Sequence, residues 1–130
     1  MTVLDASVTL AWALPDVQSD AADALVSGIA TVGTLAPTVW PYEIASGIAV
    51  AQRRGRISTE SANEALTIAM SIPIEFVHPR AHVLFDIANA TGLSVFDASY
   101  LAVCQAHDLP LATFDERMRR AATDLGIDLL

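Results

Sequence analysis

The chain has no lysine among its 130 residues, only one cysteine, three histidines, and a small aromatic share of 6%. The single cysteine, Cys104, excludes an internal disulfide and a thiolate zinc centre. It sits on the apolar face of "ASYLAVCQAH" and reads as a small buried hydrophobe. No uninterrupted apolar run is long enough to span a bilayer. The opening segment "MTVLDASVTLAWALPD" lacks a basic n-region and carries Asp5 inside its apolar stretch, so it reads as a strand and a helix of a cytoplasmic protein rather than a signal peptide. There is no GxxxxGK phosphate loop and no nucleophile elbow, and no histidine has a spacing that would make Ser7 or Ser99 part of a hydrolase triad. The missing lysine also argues against aspartyl-phosphate chemistry. Linkers, repeats and low-complexity runs are absent as well. With 53% hydrophobic residues the chain can bury a large core, as one domain over residues 1–130.

What the chain does have is acid. Fifteen Asp and Glu against seven basic residues give a formal charge of −8, which counts against a nucleic-acid binder on net charge alone. All seven bases are arginine, whose fork matches phosphate geometry. Six fall in two clusters: Arg53, Arg54 and Arg56 in "QRRGR", and Arg117, Arg119 and Arg120 in "ERMRR". Arginines at helix C-termini are also ordinary, because the helix dipole favours cations there.

Apolar β-like runs alternate with helical segments. The strands expected are "TVLD", "TLAP", "PIEFVH", "LPLATF" and a last "IDLL". The helices expected are 7–14, stopped by Pro15; 18–28, closed by Gly28; 40–54, ending at Gly55; 59–71, capped near Ser58; 80–91, ending at Gly92; 96–107; and 115–125. Strands separated by helices imply an α/β fold, with a mostly parallel sheet between two helical layers. Ligands of such sheets bind beyond the carboxyl ends of the strands.

Four acids point to that edge. Asp5 ends the first strand, Asp115 follows the fourth, and Asp97 and Glu43 lie in the first turns of helices. Singly, each suits a helix N-cap or first turn. Together, and amid apolar neighbours, they call for a positive partner. A hard divalent cation such as Mg²⁺ or Mn²⁺ is the usual answer, and two such ions would bring −8 to −4. His78 and His82 are four apart, as zinc-binding histidines can be, but Pro79 lies between them and no third ligand is near.

"VLDASVTLAWAL", "PTVWPYEIASGI" and "GLSVFDASYLAVCQAHDLPLATFDERM" resemble the successive motifs of PIN-domain ribonucleases. The short form resembles the VapC toxins of VapBC toxin–antitoxin systems. The resemblance implies a three-layer α/β/α sandwich and RNA hydrolysis, on tRNA or rRNA as for similar toxins, with Mg²⁺ or Mn²⁺ in an acidic pocket. It implies catalytic roles for Asp5, Glu43, Asp97 and Asp115, with Asp5, Asp97 and Asp115 on the metal and Glu43 either positioning or deprotonating the attacking water or helping to hold a second ion that arrives with substrate. Thr113 would support the site, and Ser46 would stand where many relatives have Asn. Arg53, Arg54 and Arg117 would meet RNA phosphates. A homodimer and a VapB-like antitoxin are the partners implied. Two alternatives compete with this reading: a catalytically silent PIN-like module that binds a protein, and another metal-dependent phosphodiesterase, phosphatase or DNA nuclease.

Overall fold

A computed structural model describes residues 1–17 and 19–130. Among them the chain forms β1 (Thr2–Leu4), α1 (Ala6–Ala13), α2 (Asp20–Val32), β2 (Thr34–Pro37), α3 (Trp40–Arg53) and α4 (Thr59–Ala69). There follow β3 (Glu75–Val77), α5 (Ala81–Thr91), α6 (Val95–His107), β4 (Leu111–Ala112) and α7 (Glu116–Asp124). All strand pairs are parallel, in the order β3-β2-β1-β4. The chain thus steps outward from β1 to β3, then returns to add β4 on the other side of β1. That reversal opens a crevice between β1 and β4, the place where doubly wound sheets bind ligands.

The helices form the outer layers. α1 packs with α2, α3 and α4, while α6 lies against β1, β2 and β4 and carries α5 on its outer side. Right-handed crossovers in opposite directions along a sheet put these two groups on opposite faces. Val3, Leu4, Leu35, Leu111, Ile44, Leu101 and Val103 are buried in the core between them. Cys104 is buried there too, and burial pushes its thiol up to about 12, which leaves it unreactive. Among the described residues no single helix is long and apolar enough to cross a membrane.

Two expected boundaries are corrected. The second helix does not close at Gly28 but continues to Val32, and Gly33 ends it with φ +88°. Ile29 is the reason: it is buried in the core and holds the helix through Gly28. The first residue expected in that helix, Gln18, lies outside the described residues. The last strand "IDLL" reduces to one bridge, Leu129 to Leu111, because β4 is only two residues long. Hydrogen bonds from Leu111 N to Asp128 O and from Leu130 N to Leu111 O still cover that sheet edge.

α1 and α3 approach closely at Gly47, where a Cβ would stand 2.6 Å from Leu10 Cδ1. Leu10 can swing its terminal methyls away from one added carbon, but not from a branched side chain. Gly47→Val is expected to destabilise the fold by about 1–3 kcal/mol, and Gly47→Ala by less, as read by urea midpoints.

Candidate active site

Asp5 stands in the N-cap position of α1, yet its carboxylate makes no capping hydrogen bond. Parallel pairing decides where it goes instead. Asp5 N donates to Ala112 O at 3.0 Å, so the residue after β1 meets the last residue of β4. There Asp5 Oδ2 accepts from Thr113 Oγ1 at 2.7 Å and from Ser7 Oγ at 2.6 Å. Ser7 Oγ also accepts from Phe114 N at 3.0 Å, tying α1 to the turn after β4. The carboxylate is 5% exposed and meets two hydroxyls but no cation.

Asp115 does cap its helix: Oδ1 accepts from Arg117 N and Met118 N at 2.9 and 3.1 Å. Its own N–H donates to Thr113 Oγ1 at 3.1 Å, so one hydroxyl orients two acids. Asp97 lies in the first turn of α6, where Ser94 caps the helix by accepting from Asp97 N at 3.1 Å. Glu43 lies in the first turn of α3, and its Oε2 accepts from Tyr100 Oη at 2.5 Å.

Neighbouring acids act on three of these carboxylates. Burial raises Asp5 above the ordinary carboxylate range; the Ser7 and Thr113 hydroxyls oppose the rise and the charge of Asp97 adds to it. Burial also raises Glu43, with Tyr100 opposing and Asp5 and Asp97 adding. Asp97 is raised by burial and then by Asp115, with Ser94 and Arg117 opposing. Asp97 acts on Asp5 and on Glu43, Asp5 on Glu43, and Asp115 on Asp97, in keeping with strand ends and helix starts that lie at one edge of the sheet. Among the described residues no group of three or more His, Cys, Asp or Glu side chains is placed so that it could hold a metal ion by itself. The donors are all oxygen, and Mg²⁺ keeps several waters, so a hard divalent ion at these carboxylates would be held largely through water.

The remaining expected residues divide. Arg117 reaches the site, donating from Nη2 to Gly92 O at 3.1 Å and countering Asp97. Arg119 Nη1 donates to Thr113 O at 3.2 Å. Arg53 and Arg54 are exposed at the far end of α3, ten and eleven residues beyond Glu43, so about 15 Å of helix separates them from it. Arg56 pairs with Asp16 at 2.8 Å. Ser46 is exposed one turn beyond Glu43 and, among the described residues, forms no side-chain hydrogen bond.

Two functional side chains escape a sequence reading. Ser7 looks there like a failed nucleophile and proves to be a clamp on Asp5. Ser99, in the same Asp-Ala-Ser context, donates instead to Phe96 O at 2.5 Å. Tyr100 looks like one more apolar neighbour of Asp97, although the i, i+3 spacing from Asp97 is the signal that both share a helix face. Burial and the nearby carboxylates push its phenol well above its ordinary range, so it stays a donor. Tyr100→Phe removes the bond that lowers the Glu43 pKa. The acid limb of a pH–rate profile is expected to move to higher pH, and activity at neutral pH to fall by about 10–100-fold. Thr113→Val is expected to lower activity by a similar factor of about 10–100 while raising the metal concentration needed for half-maximal rate.

By sequence, residues 2–124 match the PIN domain family. The chain is 30% identical over 120 residues to Ribonuclease VapC3 of Pyrobaculum aerophilum, covering 89% of this chain and 90% of that protein. By structure, it resembles PAE2754 of Pyrobaculum aerophilum with a TM-score of 0.75 at 21% identity, covering 98% of this chain and 82% of that one. It also resembles FitAcB of Neisseria gonorrhoeae, with a TM-score of 0.66, 19% identity and coverage of 100% and 96%. A third likeness is VapC20 of Mycobacterium tuberculosis, a sarcin-ricin loop cleaving toxin, with a TM-score of 0.60, 18% identity and coverage of 93% and 95%.

Proposed function

This chain belongs to the PIN-domain family, and on that premise we propose that it is an endoribonuclease and the toxic component of a toxin–antitoxin pair. One observation carries the catalytic half of this reading. A buried carboxylate, Asp5, is held by two hydroxyls at the crevice of a parallel sheet and faced by other acids. Mutual repulsion makes that arrangement costly for any role other than holding a cation.

In this reading Asp5, Asp97 and Asp115 hold Mg²⁺ or Mn²⁺. The ion, when bound, lowers the pKa of a coordinated water and offsets charge developing on the phosphate. Everything else falls to the chain. Ser7 and Thr113 occupy Asp5 Oδ2, which leaves Oδ1 for the ion. The α7 cap occupies Asp115 Oδ1 and leaves Oδ2. Tyr100 takes Glu43 Oε2, so Oε1 is the atom that accepts the proton of the attacking water, and its raised pKa brings it nearer the working pH of a general base. Arg117 meets a flanking phosphate, while Arg53 and Arg54 serve only a substrate long enough to reach along α3.

The antitoxin partner rests on the likeness to Ribonuclease VapC3, and a VapB-like protein whose terminal segment covers the carboxylates suits this site. Purified protein with Mg²⁺ or Mn²⁺, offered RNA, DNA and a small phosphoester, tests the reading. RNA cleavage that EDTA stops is the expected result; full activity in EDTA, or hydrolysis of DNA alone, would overturn it.

A further inference from the structure

Three exposed aromatics each stand one residue before a site acid: Tyr42 before Glu43, Phe96 before Asp97 and Phe114 before Asp115. Their exposures are 74%, 61% and 38%, in a chain with only eight aromatics. Nothing in the core requires a phenyl or phenol ring to remain in water at these places. Beside Phe96 is a hollow of about 170 Å³, lined by Pro37, Thr38, His78, Leu84, Val95 and Phe96 among others. A cavity of about 150 Å³ accepts a benzene ring, so this one suits a single ring system rather than a helix or a strand. Its walls are mostly apolar, with one polar edge where Thr38 Oγ1 and His78 Nδ1 lie 3.3 Å apart. An aromatic face, an apolar slot and two groups able to donate or accept along one side are what a flat heteroaromatic base requires.

We propose that this hollow holds one unstacked nucleobase of the substrate strand, next to the linkage that is cut. Phe96 is its stacking face, and Thr38 and His78 read its edge. The proposal rests on the ribonuclease reading above. Position supports it: Phe96 adjoins Asp97, and adjacent Cα atoms are only about 3.8 Å apart. Consecutive side chains of a helix diverge, so the slot lies beside the carboxylates rather than among them, where the base next to a phosphate held there would sit. Stacking also answers the charge problem, because a chain of net charge −8 has little general attraction for RNA.

The test is steady-state cleavage of single-stranded RNAs that vary the base on each side of the cut. Phe96 is on the surface, so its replacement leaves the core intact. Phe96→Ala is expected to raise KM by roughly tenfold or more with kcat kept, and Phe96→Trp to restore it. Thr38→Val combined with His78→Ala is expected to flatten the base preference at one flanking position only. Unchanged KM and preference in Phe96→Ala would overturn the proposal while wild-type cleavage leaves the ribonuclease reading standing. A variant that cleaves normally but escapes a cognate antitoxin would overturn it too, by showing that the hollow docks a protein. Wild type that cleaves no RNA would overturn both readings together.

Discussion

Asp5→Asn is expected to lower kcat/KM for RNA by at least about a thousandfold, since the ion's share of transition-state stabilisation is several kcal/mol and each 1.36 kcal/mol is a factor of ten. The fold should survive. Asparagine has nearly the same shape, its carbonyl oxygen can still accept from Ser7 and Thr113, and a buried charge is removed. Loss of activity with an unchanged or higher melting temperature is therefore the signature of a residue whose charge serves chemistry, not packing. Asp97→Asn should behave alike with a smaller change in stability, because Asp97 is only half-buried. A thousandfold loss that came with unfolding would instead make Asp5 structural. In cells, induced expression should arrest growth and cleave RNA for wild type only.

Divalent ions are expected to stabilise the wild type strongly at neutral pH and little in acid. Asp5, Glu43 and Asp97 all have folded-state pKa values raised above their unfolded references of 3.8, 4.5 and 3.8. A raised carboxylate binds its proton more tightly when folded. The stability this contributes is fully present below the unfolded value and is lost as pH rises through the raised folded value. Without metal, these three groups therefore make the protein less stable at pH 7 than they do near pH 4. Mg²⁺ or Mn²⁺ at about 100 times its Kd restores about 2.7 kcal/mol, which for a domain of this size is on the order of 10 °C in melting temperature. The increment should shrink as protons compete for the same oxygens. It should also shrink in Asp5→Asn, whose metal-free melting temperature should exceed that of the wild type by a margin that widens as pH rises. An increment independent of pH would show that the ion binds elsewhere.

Much of this architecture was legible in the sequence. Short apolar runs between helical segments specify a parallel sheet, and topology then places Asp5, Asp97, Asp115 and Glu43 at one edge before any coordinate is known. Local signals worked where local physics decides: Ser58 and Asp115 cap their helices as such residues should. They failed where a distant contact outvotes them. Gly28 reads as a stop, but Ile29 is anchored in the core, so the helix goes on to Gly33. Asp5 reads as a cap, but hydroxyls 2 and 108 positions away draw its carboxylate into the crevice. The direction of a side chain depends on such partners, which is why the bonds of Ser7 to Asp5 and of Tyr100 to Glu43 could not be read from the sequence.

The return of β4 to the side of β1 has a consequence in time. Synthesis runs from the N-terminal side, so β1, β2 and β3 emerge before α6 and β4. Until then Asp5 has no Thr113 to hold it and neither Asp97 nor Asp115 beside it. A nascent or interrupted chain that lacks α6 and β4 therefore cannot bring these carboxylates together, because the crevice between β1 and β4 forms only when those elements dock. On the ribonuclease reading proposed above, this delay would spare the message and the ribosome from which the chain is still emerging.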